Sequence, residues 1–177
     1  SEIIKNFKSI DILINNVGNA NTYKSVLEMK LNEIEQSMRI NFYSALFIIL
    51  QVIKKSIKIK KKLNIINISS NTIKFYGSNN NLPYLVSKNA LEVALLNLSK
   101  TYSRKLIKIN IIRPGLIEGN KKINLKNYSR KMFLKRQKLV PIGKAGDPED
   151  ISNLVNFLIS NNSKFIFGQI FTVSGGE

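Results

Sequence analysis

Residues 63–104 read LNIINISSNTIKFYGSNNNLPYLVSKNALEVALLNLSKTYSR. The run Leu63 to Ile68 is apolar and rich in β-branched residues, and it stops at Ser69, Ser70 and Asn71. That is the signature of a buried strand ended by turn residues. Residues 71–82 form a polar loop with Gly77 and three successive Asn. From Tyr84 to Arg104 the chain is rich in Leu and Ala with little polar face in its middle, which predicts a helix buried over most of its surface.

The same alternation continues on both sides. Upstream, Ile10 to Ile14 reads as a short strand closed by Asn15, Asn16 and Gly18. Leu31, Ile34, Met38, Ala45, Ile49 and Ile53 recur near helical spacing, which predicts a long amphipathic helix over 31–58. Lys54 to Lys62 is a basic helix end, where cations suit the macrodipole. Downstream, Leu106 to Ile112 reads as a strand broken by Pro114–Gly115, and 118–140 as a basic loop with a short helix. Asp147–Pro148–Glu149 opens another helix, running to Ser160. Gln169 to Val173 is a last strand before Gly175–Gly176. Apolar strands alternating with helices predict an α/β domain: a parallel sheet with helices on both faces.

Composition narrows the chemistry. The chain has 177 residues, enough for one domain with a real core. It contains no Cys and no His, which excludes disulfides, thiolate or imidazole metal sites and His-dependent triads. A general acid or base must therefore be a carboxylate, Tyr or Lys. The net charge of +17 favours acidic partners in principle. However, 27 Ile, 23 Asn and 23 Lys together also fit a coding sequence rich in A and T. No motif of specific nucleic-acid recognition accompanies the charge. The longest apolar run, Ala45 to Ile53, is interrupted by Gln51 and too short to span a bilayer, so no membrane partner is expected. The first residues are polar and charged rather than secretory. The chain begins at Ser1, which points to a processed product, an excised piece or a partial reading frame.

Tyr84 and Lys88 are the first chemical candidates. Four residues apart, they share a helix face. An ammonium beside a phenol favours the phenolate and lowers the Tyr pKa from about 10. Bringing it near 7 takes about 4 kcal/mol of differential stabilisation. A Tyr so tuned can protonate a carbonyl oxygen while hydride arrives at the carbon. Six Tyr and 23 Lys produce this spacing about once by chance, so the pair alone decides nothing. Ser69 and Ser70 stand 14 residues before Tyr84 at a strand's end, where parallel sheets bind ligands. Asn41 sits inside the long helix, where Asn is a poor former.

In order, these segments resemble the short-chain dehydrogenase/reductase family. Asn15–Asn16–Val17–Gly18 is similar to its Asn-Asn-Ala-Gly motif. Asn41, Ser70, Tyr84 and Lys88 match its catalytic tetrad, and Pro114–Gly115 its Pro-Gly motif. Ile166–Phe167–Gly168–Gln169 with Gly175–Gly176 resembles its C-terminal signature. Gly119 and Phe167 depart from it, both standing where relatives often carry Thr. The resemblance covers essentially the whole chain and is strongest to 3-oxoacyl-[acyl-carrier-protein] reductases.

The resemblance implies a Rossmann-like doubly wound parallel sheet. It implies that residues 1–177 are a single partial domain, the catalytic and C-terminal portion, carrying strands 4–7 of the family order 3-2-1-4-5-6-7. The family's Asn-Asn-Ala-Gly motif follows about 70 residues that hold a glycine-rich pyrophosphate turn, and no G-x-x-x-G-x-G occurs here. Residues 1–8 correspond to the end of the preceding helix. The expected result is a bared strand at 10–15, an open crevice and weak dinucleotide binding by this stretch alone.

The implied activity is NADP(H)-dependent reduction of a carbonyl in fatty-acid synthesis, with NAD(H) retained as a possible cofactor. Alternatives are another family enzyme acting on a sugar or alcohol, and a non-catalytic remnant. Tyr84 would donate the proton, Lys88 would lower its pKa and bind the nicotinamide ribose, and Ser70 would bind the carbonyl. Asn41 would hold a relay water. Asn15, Val17 and Gly18 would line the adenosine side, with Pro114, Gly115 and the Ile117 backbone meeting the nicotinamide end. The family further implies a cytoplasmic or organellar homo-oligomer, a tetramer, with helices 31–58 and 84–104 pairing across subunits. An acidic acyl carrier protein would meet Lys60, Lys61, Lys62, Arg104 and Lys105 near the entrance. On a lid it would meet Lys126, Arg130, Lys131, Lys135, Arg136 and Lys138.

Overall fold

The computed structural model describes residues 8–20, 25–76, 81–119 and 130–177. The expectations for residues 1–7, Gly77 and Lys126 fall outside that range. Four strands form one sheet: β1 (Ile12–Asn15), β2 (Leu63–Ile68), β3 (Ile107–Pro114) and β4 (Ile170–Val173). Their order is β1-β2-β3-β4 and every neighbouring pair is parallel. Parallel neighbours need long crossovers, and helices make them. Helix α1 (Leu31–Lys58) joins β1 to β2, and α2 (Leu82–Tyr102) joins β2 to β3. Between β3 and β4 lie α3 (Arg130–Gln137) and α4 (Pro148–Ile159).

Side-chain alternation divides the core in two. Leu63 and Ile65 of β2 and Ile107, Ile109 and Ile111 of β3 pack under Ala45, Ile49, Val52 and Ile53 of α1 and Leu91 and Leu95 of α2. Ile66 and Ile112 face the other way, against Val155 and Leu158 of α4. The sheet is thus covered by helices on both faces, the doubly wound parallel arrangement expected. Helix α1 is long and apolar enough to cross a membrane, but its inward residues are buried in this core.

The α4 end is fastened from the sheet. Lys108 Nζ of β3 donates to the backbone oxygens of Leu158 (2.8 Å) and Ser163 (2.7 Å). A cation at a helix C-terminus meets the negative end of the macrodipole. At the other end the N–H of Asp147 donates to Asp150 Oδ2 at 2.8 Å, half of a capping box.

Three details depart from the sequence expectation. Helix α2 is not buried over most of its surface: Ser87, Lys88, Leu91, Glu92, Leu95 and Ser99 point inward, while Val86 and Val93 are exposed. A sheet covers only one side of a helix, and an all-round apolar pattern does not say which. Strand β3 runs through Pro114 instead of ending before it, because a terminal strand position tolerates the missing N–H. Finally, α1 is interrupted by a π-helical turn, Arg39–Tyr43, with Asn41 inside it.

Among the described residues β1 pairs only with β2. Ile14 lies beside Ile66 in register, yet Ile12 and Ile14 are 44% and 49% exposed. The bared strand expected from the sequence is therefore seen. Its inner face is anchored by Asn15, whose Nδ2 donates to Oδ1 of its register partner Asn67 at 2.6 Å.

Candidate active site

The carboxyl ends of the four strands define the site. After β2, Ser70 caps a short 3-10 turn (Asn71–Ile73), its Oγ accepting from the Thr72 N–H at 3.3 Å. The same hydroxyl lies 2.8 Å from Thr72 Oγ1 and acts on the Tyr84 phenol to lower its pKa. Tyr84 stands in the first turn of α2, after Pro83, which suits the helix start. One turn on, Lys88 is 3% exposed, and its ammonium lies 5.9 Å from the Tyr84 ring centre. Lys88 Nζ donates to the backbone oxygens of Val17 (2.8 Å) and Ile68 (3.2 Å). It therefore ties the ends of β1 and β2 to the helix.

Gly18 explains its own identity. A Cβ there would stand 2.7 Å from Lys88 Nζ, so a larger residue would push the ammonium from its place under the turn after β1. Asn41 lies beyond it, fully buried. Its Oδ1 accepts from the Asn19 N–H (2.8 Å) and its Nδ2 donates to the Asn19 oxygen (3.0 Å). Ser37 and Ser87 complete its shell, accepting at 3.2 and 3.0 Å. The π turn gives Asn41 this inward aim, a use to which such insertions are often put.

At the β3 end, a Cβ on Gly115 would fall 2.6 Å from the Ser174 backbone, so the two strand ends touch only because of it. Ile117 forms an isolated parallel bridge with Gly146. The bridge uses the Leu116 oxygen (2.9 Å) and the Glu118 N–H (2.7 Å). Ile117's own peptide groups are thereby turned the other way.

Two expectations about the site need correction. Tyr84 is not lowered: burial pushes its pKa above the ordinary phenol value, and the Ser70 hydrogen bond only partly opposes this. Burial also pulls Lys88 down to about 8, against the opposing pull of the Glu92 charge. Second, the Asn15 side chain does not line a ligand crevice. It is buried and bonded to Asn67, a brace between strands.

Comparison with known proteins follows the same lines. A family model described as enoyl-(acyl carrier protein) reductase matches residues 1–177. The chain is 34% identical over 175 residues to 3-oxoacyl-[acyl-carrier-protein] reductase FabG of Buchnera aphidicola subsp. Schizaphis graminum, spanning 99% of this chain and 69% of that relative. A short chain dehydrogenase from Bacillus anthracis superposes with TM-score 0.82 at 28% identity, covering 99% of this chain and 67% of that one. The chain belongs to the short-chain dehydrogenase/reductase family. A second structure, 4-hydroxyisoleucine dehydrogenase complexed with NADH, superposes at TM-score 0.83 with 26% identity, covering 99% of this chain and 72% of that one. By this resemblance the chain is an NAD(P)-dependent short-chain oxidoreductase.

The residues present fit the nicotinamide half of such a cofactor. At the end of β2, the buried Ser69 hydroxyl and both polar atoms of the Asn71 amide have no hydrogen-bond partner among the described residues, nor does Asn67 Nδ2. Buried polar groups normally find partners, and a short-chain reductase offers them a polar ligand at this edge. The pyrophosphate end has no counterpart here, since no glycine-rich turn occurs in the 177 residues.

The basic residues divide by edge. Lys60, Lys61, Lys62, Arg104 and Lys105 immediately precede β2 and β3, at the amino ends of the strands. The site is at the carboxyl ends, roughly 20 Å away at strand rise. Within one chain they are not near its entrance, which corrects the expectation; the sequence pattern does not say which loops share an edge. Arg130, Lys131, Lys135 and Lys138 on and after α3 are exposed, while Arg136 pairs with Glu177 at 3.2 Å.

Sequence reasoning missed the supporting residues Ser37, Ser87, Asn67 and the pair Glu92–Arg113. Only Glu92 carried a signal: it lies four residues after Lys88, on the same helix face.

Proposed function

We propose that this chain carries the catalytic apparatus of a cytoplasmic, NADP(H)-dependent 3-oxoacyl-[acyl-carrier-protein] reductase. The observation that carries the reading is the buried ammonium of Lys88 lying 5.9 Å from the Tyr84 ring centre, with Ser70 acting on the same phenol. The 34% identity to a reductase of that name supports the substrate class.

When bound, the nicotinamide supplies a hydride to the carbonyl carbon. Ser70 and Tyr84 then serve the carbonyl oxygen from one side. The Ser70 hydroxyl donates a hydrogen bond to it, and the Tyr84 O–H gives up its proton. Burial keeps Tyr84 protonated at neutral pH, the form a proton donor needs. The phenolate left behind is stabilised by the Ser70 hydroxyl and the Lys88 charge. Lys88 would hold the cofactor's ribose. Val17 and Gly18 would line the adenosine side, and Pro114, Gly115 and the outward peptide groups of Ile117 would frame the nicotinamide side. Asn41 would hold a water in the proton relay to Lys88. Exposed Arg130, Lys131, Lys135 and Lys138 give an acidic carrier protein a surface to meet. Tyr43 and Phe47 on α1 and Val93 on α2 are exposed apolar residues on the two helices read as the subunit contact.

A second reading is favoured by the matching family description, enoyl-(acyl carrier protein) reductase, in which a carbon–carbon double bond is reduced. One assay separates the two. Loss of NADPH absorbance is followed with a 3-oxoacyl thioester of acyl carrier protein, the matching 2-enoyl thioester, and a sugar-derived ketone, with NADH in parallel. Turnover of the 3-oxoacyl thioester is expected, falling about a hundredfold or more in Tyr84→Phe. Turnover of the enoyl thioester alone, or a Tyr84→Phe variant as active as the parent, would overturn the reading.

A further inference from the structure

Tyr84, Lys88 and Glu92 follow one another at four-residue intervals along the inward face of α2. The first two are absorbed by the proposed chemistry. Glu92 is not, yet it is 1% exposed, and a buried carboxylate is costly unless paired. Its partner comes from the sheet. Arg113 of β3 donates from Nε to Glu92 Oε1 at 2.9 Å and Oε2 at 3.2 Å, with Nη2 also on Oε2. Arg113 is the residue before Pro114–Gly115, so the pair also joins the catalytic helix to the strand end that faces the nicotinamide side.

Lys88 needs such a neighbour. It is nearly as buried as Glu92 and its two protein contacts are neutral carbonyl oxygens. On α1 the neutral Ser37 and Asn41 are buried, while Glu33 accepts from the Lys30 N–H and Glu35 and Arg39 are exposed. The turns after β1 and β2 present backbone oxygens and the Ser70 hydroxyl, and α2 presents Tyr84. Lys74, on the 3-10 turn, is turned away to the Glu177 oxygen at 2.7 Å. Glu92 is thus the buried anion described on the elements packed against Lys88, and Arg113 the cation that fixes where its charge sits.

We propose that Glu92, clamped by Arg113, is a positioning residue that keeps Lys88 an ammonium in its buried place. The inference rests on reading Lys88 as the partner of Tyr84 in carbonyl reduction. Arg113 has two effects of opposite use. It fixes the carboxylate, and its own charge partly cancels the carboxylate's pull on Lys88. A simple structural brace and a charge-setting pair therefore make different predictions.

The test is the titration of the Lys88 Nζ signal in the 15N-lysine-labelled chain, identified by its loss in Lys88→Met. Glu92→Gln is expected to lower the midpoint by about one pH unit, because the attracting charge is gone and the Arg113 charge is unopposed. Arg113→Met is expected to raise it. If Arg113→Met does not fold, the double variant E92Q/R113M replaces it, since a buried pair is better removed whole. Its midpoint is expected between those of the parent and of Glu92→Gln. An unchanged midpoint in Glu92→Gln, or a fall in both single variants, would overturn the proposal. In the reductase assay, Glu92→Gln should move the alkaline limb of kcat to lower pH with KM less affected. An inactive parent chain would sink the functional reading alone and leave the titration to decide on the pair.

Discussion

Lys88 is a charge that folding takes almost entirely out of water. Burial lowers its pKa from 10.5 to about 8, with Glu92 opposing. The unfolded chain therefore binds more protons than the folded one between about pH 8 and 10.5. Over that window stability contributed at this position rises with pH. Below pH 8 the full cost of burying the ammonium is present, about 3 kcal/mol. The stability difference between Lys88→Met and the parent, followed by urea unfolding from pH 7 to 10.5, should favour the variant most at the acid end and shrink as pH rises. A flat difference would show that Lys88 is not buried as a charge. The pairing of Tyr84 with Lys88 was readable from spacing, because helical geometry fixes which residues share a face. The sign of the Tyr84 shift was not, because it depends on how deeply the ring is buried and where the ammonium points.

At the scale of elements, α1 shows what a periodicity can and cannot say. Its limits at Leu31 and Lys58 coincide with the 31–58 expected from apolar spacing. The π turn at Arg39–Tyr43 left no trace in that pattern, since one extra residue shifts the spacing less than ordinary irregularity does. The turn's product is the Asn41 amide clamped on both peptide groups of Asn19. Asn41→Leu keeps the branched shape and removes the clamp, leaving the buried Ser37 and Ser87 hydroxyls without its amide. It is expected to cost about 3 kcal/mol, seen as a lower urea midpoint with an unchanged slope. A loss under about 0.5 kcal/mol would mean water replaces the amide. The α4 start was legible through Asp147 and Pro148, whereas its far end is held by Lys108, a residue 50 positions away that no local pattern connects to it.

For the whole molecule, strand–helix alternation was enough to read a parallel sheet covered on both sides. The strand order β1-β2-β3-β4 follows from the family resemblance rather than from the residues themselves. Which basic loops share an edge with the site was misread, because charge runs carry no direction. The crevice described here has Gly18 close against Lys88 and Gly115 close against Ser174, and the 177 residues hold no glycine-rich turn for a pyrophosphate. These 177 residues by themselves are accordingly expected to bind NADPH weakly. Calorimetric titration should give a dissociation constant well above low micromolar, and a low-micromolar value would refute this.

The double attachment of β1 has a kinetic meaning as well. This strand is the outermost of the four described, half bare on one face, and is fastened inward by the Asn15–Asn67 bond and by the grip of Lys88 on the Val17 oxygen. Amide hydrogens of β2 and β3, enclosed by neighbours, should exchange with deuterated solvent only through global opening. Those of β1 should exchange sooner, through a local excursion that breaks these two fastenings together with the ladder to β2. Each such excursion also releases Lys88 from its carbonyl partner, so the catalytic ammonium and the least protected strand come apart as one event.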